Sequence, residues 1–251
     1  MVEQIMFKNL AFRIRKFLFK GLVLLARGIR HVLNFVLMQG AKSIELERQR
    51  RALVTTVDYL EKHMRGVDSV GSKNELLTKS FKLADVSGDR LILEFGVFMG
   101  ASINHVARMT SKPLYGFDSF EGLPERWRDG CDKGMFAVPK LPKVRTNVTL
   151  VKGWFNETLP KFLKEHPGQI GFLHVDSDIY SSAKTIFDLL EPRLKPGAVI
   201  VFDEYFNYAE WEEGEYKAFM EFLERTGLTC EFIGYHRNEE QVAVILRKKA
   251  N

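Results

Sequence analysis

The 251-residue chain carries 37 Lys and Arg against 32 Asp and Glu, and 45% of its residues are hydrophobic, the balance of a globular protein with room for one sizeable core. Its net charge of +5 is unevenly placed: residues 1–51 hold 11 basic and 3 acidic side chains, which leaves the remainder slightly acidic. An acidic body excludes a general nucleic-acid surface, which needs clustered cations against phosphate. The two cysteines, Cys131 and Cys230, lie far apart and suggest neither a disulfide framework nor a thiolate zinc site, so a reducing, cytoplasmic setting is expected.

Residues 7–38 contain no proline, and Arg13, Lys16, Lys20, Arg27, Arg30 and His31 recur at three-, four- and seven-residue spacings. That spacing predicts a cationic amphipathic helix with Phe7, Leu10, Ile14, Phe17, Leu25, Val32 and Phe35 on its other side. The apolar runs are too short for a membrane span, and residues 1–42 lack the Ser and Thr of a mitochondrial presequence. Two roles stay open for this extension: packing on the body or on a second copy, or peripheral docking on an anionic membrane. Its apolar side chains make a homo-oligomer the expectation. Residues 43–80 read as polar and helical, broken by "GVDSVGSKN", and are expected to cover the substrate side of a body spanning 81–251.

In that body short apolar runs alternate with amphipathic stretches: "LILEFGVFMGAS", "PLYGFDSF", "VTLVKGWF", "IGFLHVDSD", "AVIVFDEY" and "AVILRK". Such alternation implies right-handed crossovers and an α/β fold with a doubly wound, mostly parallel sheet. Ligands then lie beyond the carboxyl ends of the strands. At the first of those ends, Gly96 and Gly100 permit a tight turn and close approach to a ligand. Asp118 closes the next strand, 24 residues after Glu94, where an acid can accept hydrogen bonds from ribose hydroxyls.

The strands ending "HVDSD" and "VFDEY" should be neighbours, about 5 Å apart. Their ends would then crowd Asp176, Asp178, Asp203 and Glu204. Carboxylates so crowded raise one another's pKa, a conflict that a hard divalent cation removes. A metal site of Asp176, Asp203 and Glu204 is predicted, with Asp178 outside it as the general base. His174 is either a supporting residue or plain core. The segment 120–143 has the length and composition of a lid, with Trp127, Arg128 and Phe136 as substrate contacts.

The blocks "LEFGVFMGAS", "YGFDSFEGLPE", "KGWFNETLP", "FLHVDSDIYSSA" and "LKPGAVIVFDEY" together resemble the class I S-adenosylmethionine-dependent methyltransferases, specifically the macrocin O-methyltransferase family of sugar-modifying enzymes. The resemblance covers about residues 81–246. It implies a Rossmann-like fold and an S-adenosylmethionine site in which Glu94 and Gly96 border the methionine end and Asp118 holds the ribose. Ser119 and the Gly153–Trp154 turn flank the adenine, and Ser102 is counted with the cofactor-binding residues. The resemblance also implies magnesium at the acidic strand ends, although Glu204 stands where the family commonly has a second aspartate. The implied activity is metal-assisted methylation of a hydroxyl on a sugar, a glycosylated natural product or a lipid-linked small molecule. A catechol-type O-methyltransferase and a non-catalytic, membrane-associated cofactor-binding scaffold are the alternatives.

Overall fold

A computed structural model describes residues 19, 21–22, 24–34, 38 and 40–249, which divide into two compact units, 1–50 and 51–251. Of the helix expected over 7–38, residues 24–34 are helical and exposed, while the part before residue 19 lies outside the described residues. No helix among the described residues is long and apolar enough to cross a membrane.

The second unit is built on an eight-stranded sheet. In chain order the strands are β1 (Ser69–Val70), β2 (Leu91–Phe95), β3 (Leu114–Asp118), β4 (Val148–Lys152), β5 (Ile170–Val175), β6 (Val199–Phe202), β7 (Leu228–His236) and β8 (Val242–Lys248). Their spatial order is β1-β7-β8-β6-β5-β2-β3-β4. The pairings from β6 to β4 are parallel, and β8 runs antiparallel to both β6 and β7. The mostly parallel, doubly wound sheet expected from the alternating runs is therefore present. β2, β5 and β6 are buried at every position, because a parallel strand with helices on both faces has no solvent side on which to place polar residues.

Successive residues of β6 show the two faces. Ile200 and Phe202 point into one apolar cluster and Val199 and Val201 into the other. The first cluster is covered by α1 (Ile44–His63) through Ala52, and by α4 (Phe155–Glu165), α5 (Tyr180–Leu190) and α6 (Glu215–Thr226). The second is covered by α2 (Lys73–Leu83) through Leu76, Leu77 and Phe81, and by α3 (Ala101–Ala107) through Ile103 and Val106. The segment expected to form a single cover thus contributes one helix to each face. Gly116, in the middle of β3, lets α3 approach: a Cβ there would lie 2.5 Å from Ile103 Cδ1.

The chain reverses direction across the sheet between β2 and β5, whose ends are in register, Phe95 opposite Val175. A crevice opens at such a switch point.

Candidate active site

Three backbone hydrogen bonds bring the strand ends together: Gly96 N to Phe117 O (2.9 Å), Asp176 N to Phe95 O (2.8 Å) and Asp203 N to Val175 O (2.8 Å). Gly96 adopts a φ of 88°, and a Cβ there would collide with the Asp176 carbonyl oxygen. Beyond these ends lies a cavity of about 590 Å³, within the size range of cofactor sites. It is lined by Gly96, Asp118, Ser119 and Trp154 together with Asp176, Asp178, Asp203 and Glu204.

Asp118 also organises the loops around it. Its Oδ2 accepts hydrogen bonds from Val97 N and Phe98 N (2.9 and 2.8 Å), and its Oδ1 from Phe120 N (2.6 Å). Three of about four acceptor sites on the carboxylate are thereby filled, and Phe98 is held at a φ of 47°. Gly153, which donates to the Asp118 carbonyl at 2.9 Å, turns the chain toward Trp154 without itself lining the cavity.

Glu94 and Ser102 lie behind the cavity wall. Ser102 Oγ donates to Glu94 Oε1 at 2.8 Å, and His174 Nδ1 lies 2.9 Å from Glu94 Oε2. His174 is fully buried, and its Nε2 has no hydrogen-bond partner but sits 4.0 Å from Asp203 Oδ1. The three side chains form a buried relay toward the acids instead of a surface facing the cavity.

The four strand-end acids fall into two groupings that share Asp176: His174, Asp176 and Asp203, and Asp176, Asp178 and Glu204, each with its ligand atoms within 4.8 Å of one another. Burial, followed by the charges of Asp176 and Asp203, pushes the Asp178 carboxyl up to about 8. Burial and Asp203 push Asp176 up to about 6. Glu204 is raised well above the usual carboxylate range by burial and its acidic neighbours, and its Oε2 has no hydrogen-bond partner. Asp203 goes the other way. Burial opposes its charge, but the Lys73 ammonium, helped by His174, holds its carboxyl below the usual range. The trio expected to hold a metal, Asp176, Asp203 and Glu204, is thus divided between the two groupings, and Asp178, expected outside it, stands with Asp176 and Glu204 in the all-carboxylate one, a donor set that suits a hard divalent cation.

Several contributors carry no signal in the apolar runs. Lys73 comes from the first position of α2 and places Nζ 2.7 Å from both Asp176 Oδ2 and Asp203 Oδ1. Glu215, fully buried at the start of α6, accepts from Ser177 N and Ser177 Oγ, each at 2.9 Å, and from Glu204 N at 3.3 Å. It therefore joins the two acid-bearing loops. The Ser72-x-x-Glu75 pattern of a helix start was the available pointer to Lys73, since Ser72 Oγ does cap Glu75 N at 3.2 Å. For Glu215, the pointer was an acid following Gly214 at a helix N-terminus.

The expected lid is ordered by its own backbone. Leu123 N bonds to Met135 O (2.9 Å), Gly134 N to Leu123 O (2.9 Å) and Val138 N to Phe120 O (3.2 Å). Trp127, Arg128 and Phe136 all line the cavity. The Arg128 guanidinium stacks 3.8 Å above the Trp127 ring and is tied to Glu240 Oε1 at 2.9 Å, while Phe136 meets Phe98 edge to face, 5.8 Å between ring centres.

Residues 93–205 match the family model described as a methyltransferase domain. Over that stretch the body is similar to a methyltransferase domain. Over 150 residues the chain is 34% identical to the 8-demethyl-8-(2,3-dimethoxy-alpha-L-rhamnosyl)-tetracenomycin-C 4'-O-methyltransferase of Streptomyces olivaceus. That match takes in 49% of this chain, which spans about half the length of the curated relative (55%). Among solved structures, the fold superposes on the calicheamicin methyltransferase CalS11 with a TM-score of 0.55 at 23% identity, covering 81% of this chain and 93% of that one. It also superposes on the O-methyltransferase NovP with a TM-score of 0.54 at 20% identity, covering 70% and 80%. The cavity lies inside the matched stretch, apart from Lys73 and the Glu215 and Glu240 supports.

Proposed function

We propose that the protein is an S-adenosylmethionine-dependent O-methyltransferase acting on a hydroxyl of a sugar borne by a small molecule. The observation that carries this reading is the single cavity shared by the Gly96–Asp118–Ser119–Trp154 wall and the acidic strand ends, on a chain 34% identical to an enzyme named for 4'-O-methylation of a rhamnosylated tetracenomycin. Asp118 would hold the cofactor ribose with its remaining acceptor capacity, and Trp154 would flank the adenine. The Gly96 backbone, with no side chain in the way, would let the methionine end approach the acids. Bound there, S-adenosylmethionine would supply a methyl group on a good sulfur leaving group, displaced in line by the acceptor oxygen.

An alcohol is a poor nucleophile while it keeps its proton. Asp178, held protonated up to about 8, is the carboxylate whose ionised form is basic enough to take that proton near neutrality. Asp176, Asp203 and Glu204 would hold a divalent cation, whose contribution when bound is to acidify the acceptor hydroxyl and fix its direction. Trp127 and Phe136 give the lid flat apolar surfaces suited to the carbon faces of a sugar or to an attached ring system. In calorimetry, S-adenosylhomocysteine is expected to bind with a micromolar Kd. Absence of binding up to millimolar ligand would overturn the reading.

The N-terminal helix supports a peripheral membrane contact. Leu25, Ile29, Val32 and Leu33 are exposed and fall on one arc at helical spacing, while Arg27, Arg30 and His31 fall on the opposite side, the arrangement of a helix lying in an anionic interface. Vesicles containing one-third phosphatidylserine should sediment the full-length chain, and a full-length Ile29→Ser/Val32→Ser variant should stay in the supernatant. Equal sedimentation of the two would remove the membrane role.

A further inference from the structure

We propose that Lys73 is a tethered cation occupying the position a divalent metal would take between Asp176 and Asp203, so that ammonium and metal exclude one another there. The inference rests on the metal-assisted reading above and adds a residue from outside the stretch that matches the methyltransferase family. Nζ lies 2.7 Å from one oxygen of each aspartate, donating a charge-assisted hydrogen bond to Asp176 Oδ2 and forming an ion pair with Asp203 Oδ1. Both contacts use oxygens that a bridging cation would require. A metal held by the same two oxygens would stand within a few ångströms of the ammonium, where like charges repel strongly in a partly desolvated site.

The backbone that delivers Lys73 is fixed on both sides. Before it, β1 pairs with β7, Ser69 opposite Tyr235 and Val70 opposite His236, and Arg237 Nε donates to Val70 O at 3.2 Å. At its own position the Ser72 cap starts the helix, and Glu75 Oε2 accepts from Gly71 N at 2.9 Å. The side chain beyond that anchor is long, rotatable and 31% exposed, so it can withdraw into solvent without unfolding α2. The seat it fills is incomplete for a lysine, because Glu204, more than nine-tenths buried, keeps an oxygen with no partner beside the pair. One ammonium pairs with two aspartates but balances the charge of only one. A divalent ion would balance both, and this is the advantage that would let metal displace the ammonium.

The test is manganese(II) binding, read by the loss of the free-ion electron paramagnetic resonance signal at pH 8, on full-length wild type and on Lys73→Met, Lys73→Arg and Lys79→Met. Lys79 lies on the same helix but pairs with Asp68 at 2.8 Å, so it controls for the loss of one positive charge. Manganese should bind Lys73→Met at least tenfold more tightly than wild type, with Lys73→Arg and Lys79→Met unchanged. Equal or weaker binding to Lys73→Met, or no binding to any of the proteins at millimolar manganese, overturns the proposal. Should Lys73→Met fail to fold, amine acetylation of the wild type gives a second reading: Lys73 should be modified faster with saturating manganese than without, and an unchanged rate overturns the proposal equally. S-adenosylhomocysteine binding, measured on the same samples, reports separately on the methyltransferase reading.

Discussion

Replacing Asp178 by asparagine is expected to lower kcat by about 10³-fold while leaving S-adenosylhomocysteine affinity within twofold of wild type. Asp178 sits at a φ of 62°, a left-handed conformation that asparagine adopts as readily as aspartate, so the substitution removes the proton acceptor without straining the turn. The same reading fixes the sign of the pH profile. With the carboxyl pushed up to about 8 by burial and by Asp176 and Asp203, the base is mostly protonated at neutral pH. Without added metal, the wild-type rate should therefore climb about tenfold per unit below 8 and level off above it, and a divalent cation on Asp176 and Asp203 should move the inflection to lower pH. The inflection belongs to the coupled acids as a set, and it should disappear from the residual activity of the variant. Wild-type turnover in Asp178→Asn, or a rate that falls between pH 6 and 8, would remove Asp178 from the chemistry.

The second large effect is expected at Glu215. Truncation to alanine strands Ser177 N, Ser177 Oγ and Glu204 N, three buried donors that now converge on one carboxyl, and should destabilise the fold by about 2–4 kcal/mol. Glutamine should behave differently. Burial raises the Glu215 pKa well above the usual range, even against the hydrogen bonds from Ser177, which favours the neutral side chain. A neutral amide keeps the two 2.9 Å bonds from Ser177 and gives up the 3.3 Å one, at a cost of about 1 kcal/mol. Urea midpoints at constant m would measure both. Glutamine proving as damaging as alanine would mean that the buried group is ionised.

The difference between these two residues marks how far the sequence could be read. Asp178 was visible because two fully apolar strands end in acids and neighbouring strands must bring those acids together. β7 was less visible, since "LTCEFIGYH" is half-buried along most of its length and lacks the continuous apolar run of β2, β5 or β6. Its antiparallel pairing with β8 was hidden with it. The roles within the site depended on contacts that no local pattern carries. Glu94 reads as a strand-end acid, but the Ser102 hydroxyl and the His174 ring hold it behind the wall. Asp118 reads as a ribose acceptor, and three backbone amides from two loops also claim it. Lys73 lies 103 positions before Asp176, in a polar segment that by itself suggests only a solvated helix.

The stretch recognisable as a methyltransferase domain begins at residue 93, whereas the compact unit begins at 51. Leu76, Leu77 and Phe81 of α2 are almost completely buried against the sheet. A chimaera that kept residues 93–205 and took its leader from another enzyme would therefore lose α2's share of the cover over that face, leaving α3 alone on it, and would lose Lys73 beside the acids. For recombination or directed evolution, the practical crossover point lies upstream of α1's packed residues, not at the edge of sequence similarity.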